Sequence, residues 1–376
     1  MLFFSGPRQV GKTTSSLVNT SLAYYLNWDN EVHRAILLAG PEAVAKHFGL
    51  PSLTRPLVVF DEIHKYRHWK RFLKGFFDTY EKELQIIVTG SARLDVYKRD
   101  GDSMMGRYFL YRLHPLSLRE LINPALPDTE ITPPLPCNEF NTLLHYGGFP
   151  EPFLQKNDRF LHQWQRLRLE LLFREDLRDL TRIQDIGQVE ILAHRLIAQV
   201  GQQVDYTSLA SAVKVAVPTV QRWMKALREL YFCFTLQPWS RNVSKSLIKQ
   251  PKVYLWDWAM CQSKGARNEN FVASHLLKAV QFWTDLGLGQ YDLYYLRDKL
   301  KREVDFLVTK NGEPWFLVEA KTKDQGISSS LYHFQKETGA KHAFQITFDL
   351  PFVDIDCFQR RDPVVVPAET FLSQLV

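Results

Sequence analysis

Short apolar runs alternate with helical stretches through the first 120 residues. Four runs, at residues 2–5, 35–38, 57–60 and 85–89, are apolar on both faces, as strands covered by helices on either side must be. The alternation predicts an α/β domain with a parallel sheet. Residues 123–136 then hold five prolines (Pro124, Pro127, Pro133, Pro134 and Pro136) and read as a linker. Residues 138–230 read as helical, residues 231–236 as a strand, and from about 265 the pattern becomes helix, strand, strand, helix, strand. With 376 residues the chain exceeds the usual size of one domain. The expected divisions are 1–122, 123–264 and 265–376.

Within the middle segment, residues 205–213 form a short helix and residues 214–217 a turn. A second helix begins near Pro218, a residue suited to a first helical turn. Val220, Trp223, Met224, Leu227 and Leu230 make an apolar stripe at helical spacing, which leaves Arg222, Lys225 and Arg228 on the other faces. Helix, turn, helix and strand outline a winged helix-turn-helix, whose second helix can enter a major groove or can simply pack against its neighbours. Trp239, Trp256 and Trp258 are expected in the core rather than as stacking platforms for bases.

The first strand candidate runs into Gly6-Pro7-Arg8-Gln9-Val10-Gly11-Lys12-Thr13-Thr14, which fits G-x-x-x-x-G-K-[ST]. Gly6 and Gly11 let the backbone wrap a phosphate without a Cβ clash. The helix that follows directs unpaired N–H groups at it. Lys12 is placed to reach the β- and γ-phosphates of ATP, and the Thr13 hydroxyl to ligate Mg²⁺. The third run ends in Asp61-Glu62, at the strand end where ligands of open α/β sheets bind. Asp61 is expected to hold Mg²⁺ through water, and Glu62 to polarise the attacking water. The fourth run ends in Thr89-Gly90-Ser91, where Ser91, then Thr89, is the candidate sensor of the γ-phosphate. Arg107 is the candidate for adding positive charge in the transition state, in cis or from a neighbouring subunit. His64 and His68 read as a helix-surface pair with no third metal ligand in view.

These stretches, with Tyr25-Leu26-Asn27-Trp28-Asp29, Ile63-His64-Lys65, Trp69, the segment Pro115-Leu116-Ser117-Leu118-Arg119-Glu120 and the segment Gly147-Gly148-Phe149-Pro150-Glu151-Pro152, stand in order. Together they resemble a prokaryotic AAA+-like ATPase family that carries a C-terminal domain of unknown function. The resemblance spans nearly the whole chain. It implies an AAA+-like P-loop NTPase sheet, ATP and Mg²⁺ as ligands, and ATP hydrolysis. Members of that family usually carry a few tens of residues before the first strand, including a helix that helps hold the base. This chain starts on the strand, so either its true start lies upstream or base recognition is weakened.

In the last segment Glu269 lies on a helical run, residues 303–308 read as a strand carrying Asp305, and residues 315–321 as another carrying Glu319 and Lys321. Two positions apart on a strand, Glu319 and Lys321 face the same side. D…E-x-K in a strand–turn–strand setting resembles the PD-(D/E)xK nuclease fold, a restriction-endonuclease-like α/β domain. That reading makes Asp305 and Glu319 ligands of Mg²⁺, Glu269 a further acidic member, and Lys321 the group that orients the water without binding metal. Fold alone does not give activity, and a domain that keeps the fold without cleaving is equally compatible.

Composition narrows the classes. The chain is 45% hydrophobic and 13% aromatic, which excludes global disorder. The four cysteines, Cys137, Cys233, Cys261 and Cys357, lie too far apart for metal spacing or a disulfide framework. No apolar run approaches the roughly 20 residues of a membrane span. The N-terminus has no basic segment before its apolar residues and reads as a strand rather than a signal peptide, so the cytoplasm is the expected compartment. The formal charge is +6. Residues 205–252 hold eight basic side chains (Lys214, Arg222, Lys225, Arg228, Arg241, Lys245, Lys249 and Lys252) and two acidic ones, Asp205 and Glu229, and so account for the whole excess. Residues 265–376 hold 13 basic and 15 acidic groups. DNA contact is therefore expected through 205–252, with a protein partner or a homo-oligomer as the other candidate associations and no membrane. The composite expectation is an ATP-driven conformational switch on or near DNA. The alternatives are a regulatory NTPase with a protein partner and an ATP-gated, metal-dependent nuclease.

Overall fold

The computed structural model describes residues 1–18, 23–50, 56–90, 104–125, 127, 129–180, 183, 185–240 and 250–376. The chain forms two compact units, Met1–His114 and Pro115–Val376.

In the first unit five strands run parallel: β1 (Leu2–Ser5), β2 (Ala23–Asn27), β3 (Leu57–Asp61), β4 (Gln85–Gly90) and β5 (Phe109–Arg112). Their order is β2-β3-β4-β1-β5. The helices are α1 (Lys12–Leu17), α2 (Glu31–Leu38), α3 (Pro41–Phe48) and α4 (Trp69–Tyr80). Helix α4 buries Trp69, Phe72, Leu73 and Phe76, spaced i, i+3, i+4, i+7, as an amphipathic helix lying on a sheet requires. They pack with Phe3, Val58, Phe60 and Val88 of the strands. Each such burial is worth about 1.5–3 kcal/mol.

One expected strand is corrected. Residues 35–38 are helical, as the end of α2, and the second strand is β2 instead. Asn30 caps α2, its side chain accepting from Val32 N (2.9 Å) and His33 N (3.1 Å). Of that helix Leu37 is buried while Leu38 is 57% exposed, so the run imitates a two-sided strand without being covered on both sides.

The second unit opens with helices α5 (Leu118–Ile122), α6 (Phe140–Tyr146), α7 (Pro150–Gln155), α8 (Asp158–Leu171), α9 (Leu177–Leu180), α10 (Ile186–Ala198), α11 (Tyr206–Val213) and α12 (Val217–Glu229). Then come β6 (Cys233–Pro238), β7 (Lys252–Leu255), the 22-residue α13 (Lys264–Asp285), β8 (Tyr291–Arg297), β9 (Glu303–Lys310) and β10 (Glu313–Lys321). The unit closes with α14 (Ser329–Thr338), β11 (His342–Thr347), β12 (Val364–Pro367) and α15 (Ala368–Leu372). One mixed sheet takes the order β12-β11-β10-β9-β8-β6-β7. β6 and β7 are antiparallel, and β6 also pairs in parallel with β8. The strand after the second helix of the expected winged helix therefore belongs to the same sheet as the strands bearing Asp305 and Glu319. β8, β12 and α15 are additions to the helix-strand-strand-helix-strand pattern read from the sequence.

The proline-rich stretch is anchored rather than a free linker. Thr132 N donates to Gln374 O (2.9 Å) and Cys137 N to Glu369 Oε1 (2.7 Å). The Tyr291 hydroxyl donates to Glu130 Oε1 (2.5 Å). Two motifs of the family resemblance are architectural here. Ser117 and Glu120 form the capping box of α5. The buried Lys278 ammonium donates to the Glu120 carboxylate and to Pro115 O, while His275 Nε2 accepts from Leu118 N (3.1 Å). Gly148 lies against Trp258, Leu116 and Pro115 with no room for a Cβ. Trp256 and Trp258 are buried, and Trp239 packs against the Leu296–Phe334 cluster, so all three are core residues. Among the described residues no helix is long and apolar enough to cross a membrane.

Candidate functional site

Strand register sets the first site. Ser5 pairs with Gly90, and Asp61 with Thr89, so the C-terminal ends of β1, β4 and β3 lie side by side at one edge of the sheet. The loop of residues 6–14 leaves β1 at that edge. A Cβ on Gly6 would run into the Leu113 carbonyl oxygen, so glycine is required there by the backbone of β5's exit as well as by any phosphate. Gly11 has φ 97°, in the left-handed region that favours glycine, and caps α1. Gln9 (φ 62°) and Glu62 (φ 54°) are non-glycine residues in the same region. Such conformations cost of order 1–3 kcal/mol each and gather where function holds the backbone.

The side chains converge. The buried Lys12 ammonium donates to Gly6 O (3.0 Å) and Pro7 O (2.6 Å). Burial lowers its pKa to about 8 against the opposing pull of Glu62 and Asp61. The Thr13 hydroxyl donates to Asp61 Oδ2 at 3.0 Å, and the Tyr25 hydroxyl donates to the same oxygen at 2.6 Å. Thr89 donates to the other oxygen, Oδ1. Asn27 Nδ2 in turn donates to the Tyr25 hydroxyl at 3.1 Å. Burial first, then the bond to Asp61, raises the Tyr25 pKa, so the phenol stays a donor. Glu62 faces His64 Nε2 and Lys65 Nζ, each 3.7 Å from its Oε2, and Lys65 also binds Asp29 at 2.6 Å. Burial lowers the His64 pKa, with Glu62 opposing. His64 thus belongs to the edge that holds Glu62. It sits in a 3₁₀ turn, and His68 precedes α4, so the two are not a pair on one helix.

The structure thus brings together Gly6, Lys12, Thr13, Asp61, Glu62 and Thr89. Ser91 lies outside the described residues. Arg107 is not part of this group. It precedes β5 beside Met1, whose amino group donates to Arg107 O, and so lies at the opposite edge of the sheet from the loop. Its guanidinium is held by Asp78 through bonds of 2.7 and 3.0 Å. The expected role in cis is corrected on that ground: a strand of four residues, roughly 13 Å long, separates the two edges. Tyr25 is the member that motif reading missed; its polar tip on a strand next to the Asp61 strand was the available signal.

The second expected site, in the other unit, is differently composed. Glu269 of α13 and Asp305 of β9 are brought together, but around a lysine. Lys252 Nζ of β7 lies 3.4 Å from Glu269, 2.6 Å from Glu303 and 3.2 Å from Asp305. Tyr254 donates to Glu269 Oε1 at 2.7 Å, and Ala320 N to Asp305 Oδ2 at 3.0 Å. Glu319 pairs with Lys321 at 2.7 Å. Burial and then Asp305 raise the Glu269 carboxyl to about 7. Among the described residues no group of three or more His, Cys, Asp or Glu side chains is arranged to hold a metal ion. The expected Mg²⁺ ligands Glu269, Asp305 and Glu319 therefore meet a centre that already contains a cation.

In the basic segment, Lys214, Arg222, Lys225 and Arg228 are exposed. Arg228 donates to the Thr235 hydroxyl at 3.1 Å. Lys252, counted with them by sequence, is 2% exposed and leaves that surface. Arg241, Lys245 and Lys249 lie outside the described residues.

The loop, the Thr13–Asp61 pair and the parallel sheet define the first unit as a P-loop nucleotide-binding domain of the AAA-like kind. Residues 1–122 match the family model described as an AAA domain. Residues 137–269 match a domain of unknown function (DUF8612), and residues 264–350 another (DUF4143). The chain is similar to an uncharacterized protein of Mycobacterium tuberculosis, 24% identical over 339 residues that cover 88% of this chain and 72% of that protein. It is also similar to an uncharacterized protein of Methanocaldococcus jannaschii, 23% identical over 266 residues, 66% of this chain and 57% of that one. Solved structures overlap it loosely. The Aeropyrum pernix ORC1 protein in complex with DNA shares 15% identity, covering 72% of this chain and 87% of that chain with a TM-score of 0.32. Drosophila ORC bound to DNA shares 9% identity, covering 76% and 89% with a TM-score of 0.27. Overlaps this slight carry no weight for fold or function.

Proposed function

We propose that the protein binds ATP with Mg²⁺ through its first unit, hydrolyses it, and uses the cycle as a conformational switch on or near DNA. The observation that carries this reading is the meeting of Thr13 and Asp61 beside Lys12. Two hard oxygens from separate elements lie 3.0 Å apart next to a buried ammonium. That donor set suits Mg²⁺, which takes few protein oxygens and completes its shell with phosphate and water. When bound there, Mg²⁺ would supply neutralisation of the phosphate charge. Lys12 exchanges its carbonyl partners for phosphate oxygens. Thr13 and Asp61 hold the ion, and Tyr25 and Thr89 fix the rotamer of Asp61. Glu62, which faces His64 and Lys65, orients the water that attacks the γ-phosphate.

The DNA side of the proposal is supported by the exposed row Arg222, Lys225 and Arg228 on α12, together with Lys214 in the preceding turn. The test of the nucleotide reading uses two variants. Lys12→Ala is expected to remove the ATP·Mg²⁺-induced rise in melting temperature. Glu62→Gln is expected to keep that rise and lose phosphate release. A Lys12→Ala protein that ATP still stabilises would overturn the phosphate-loop assignment.

A further inference from the structure

The acidic centre of the second unit looks from its sequence like a divalent-metal site, yet its geometry is that of a closed ion cluster. β7 carries Lys252 and Tyr254 on the same face, two positions apart, and both reach Glu269. Gly201, with φ 77°, lets the chain pass close to that carboxylate, because a Cβ there would sit 2.9 Å from both Glu269 oxygens. Lys252 is 2% exposed. A buried ammonium must be paired to offset its lost hydration, and three carboxylates pair with this one. Burial alone would lower its pKa, but Asp305, Glu269 and Glu303 outweigh burial and raise it, so the side chain stays charged.

The oxygens are largely committed. Asp305 Oδ1 faces Lys252 and its Oδ2 accepts from Ala320 N. Glu269 Oε1 is shared by Lys252 and Tyr254, and Glu303 is divided between Lys252 and Arg297, the latter at 2.5 Å. Glu319 Oε1 faces Lys321 at 2.7 Å, while its Oε2 is buried without a hydrogen-bond partner. Mg²⁺ or Mn²⁺ takes one or two carboxylates from a protein, and to gain them here it would have to displace an ammonium already held by Glu269, Glu303 and Asp305.

We propose that Lys252 is the resident cation of this centre, standing where a D…E-x-K arrangement would hold a divalent metal, and that the second unit therefore performs no metal-dependent phosphodiester cleavage. Lys252 enters from β7, outside the span that carries Asp305, Glu319 and Lys321, so the acidic residues can be present in full while the metal position is taken. The centre is then a structural lock that joins β7 to β9 and α13. Nothing in it depends on the phosphate loop, and its test uses nucleotide-free protein.

The experiment counts bound Mn²⁺ by electron paramagnetic resonance on the full chain, with Asp61→Asn in every sample to silence the first unit. With Lys252 in place, Asp305→Asn is expected to change the number of bound Mn²⁺ ions by none. Lys252→Met is expected to gain about one Mn²⁺ per chain, lost again in Lys252→Met/Asp305→Asn. The proposal is overturned if the lysine-containing protein binds one Mn²⁺ per chain that Asp305→Asn abolishes. It is equally overturned if Lys252→Met folds and takes up none. Should Lys252→Met not fold, the two lysine-containing proteins decide the question by themselves.

Discussion

The Thr13 hydroxyl and the Asp61 carboxylate meet at 3.0 Å, which ties the end of the phosphate loop to the end of β3. Tyr25 and Thr89 hold the same carboxylate from β2 and β4. Tyr25→Phe deletes one of these donors without changing the ring. A hydrogen bond to a charged group is worth about 1.5–3 kcal/mol, so Asp61 should lose much of its orientation. The expected result is roughly tenfold weaker ATP binding with Mg²⁺ and unchanged binding in EDTA, read by calorimetry. An equal loss in EDTA would show that Tyr25 acts on the nucleotide and not through Asp61.

Gly148 tests the second unit. A Cβ there would stand 2.5 Å from Trp258 Cη2, 2.7 Å from Leu116 O and 2.8 Å from Pro115 Cβ. Trp258 is 1% exposed and its indole donates to Leu143 O at 3.0 Å, so it has no room to retreat. Overpacking of this kind costs about 1–3 kcal/mol. Gly148→Ala should lower the midpoint of urea unfolding followed by far-UV circular dichroism. An unchanged midpoint would mean that the loop yields and that the glycine serves another purpose.

The parts of the molecule that sequence revealed are those written in contiguous residues. The phosphate loop, Asp61-Glu62 and the α11–turn–α12 segment each depend on neighbours a few positions away. The run 35–38 misled because its apolar residues say nothing of what covers them, while the signal for a helix, Asn30, stood five residues upstream of the run. Arg107 could be placed only by strand register, which puts it with Met1 rather than with the loop. Lys252 was hidden more thoroughly. Its partners Glu269 and Asp305 lie 17 and 53 residues away, and by composition it belonged to a basic surface. A side chain's charge is legible in sequence, but the field it sits in is a property of the fold.

His275 gives a pH dependence with a definite sign. It is buried, its Nε2 accepts from Leu118 N, and its Nδ1 meets Phe271 O at 2.8 Å, which fixes a neutral ring. Burial lowers its pKa from 6.5 to about 4. In the unfolded chain the ring takes up a proton near pH 6.5 while the folded chain refuses it. The resulting stability is fully present above pH 6.5 and is lost as pH falls toward 4. The drop should approach about 3 kcal/mol over that interval. His275→Gln should be less stable at pH 8 yet flatter between pH 6.5 and 4 in urea titrations. An unaltered slope would assign the acid sensitivity to other groups.

The DNA proposal stands or falls on α12. Arg222 and Lys225 are exposed, whereas Arg228 is also exposed but engaged with Thr235. If this face meets phosphates, affinity for a duplex must fall as salt rises, with a slope set by the number of phosphates neutralised. Arg222→Ala and Lys225→Ala should each weaken binding to all sequences alike and reduce that slope by about 1. Arg228→Ala should do less, because part of its guanidinium is already committed. Lys252→Met, although it removes a charge from the same stretch of sequence, should leave the slope where it was if the variant folds, since a buried ammonium among three carboxylates presents no field to a phosphate. Fluorescence anisotropy with a labelled duplex between 50 and 200 mM salt reads all four variants. Wild-type binding with no salt dependence, or slopes untouched by Arg222→Ala and Lys225→Ala, would remove DNA from this surface and leave α12 a packing helix.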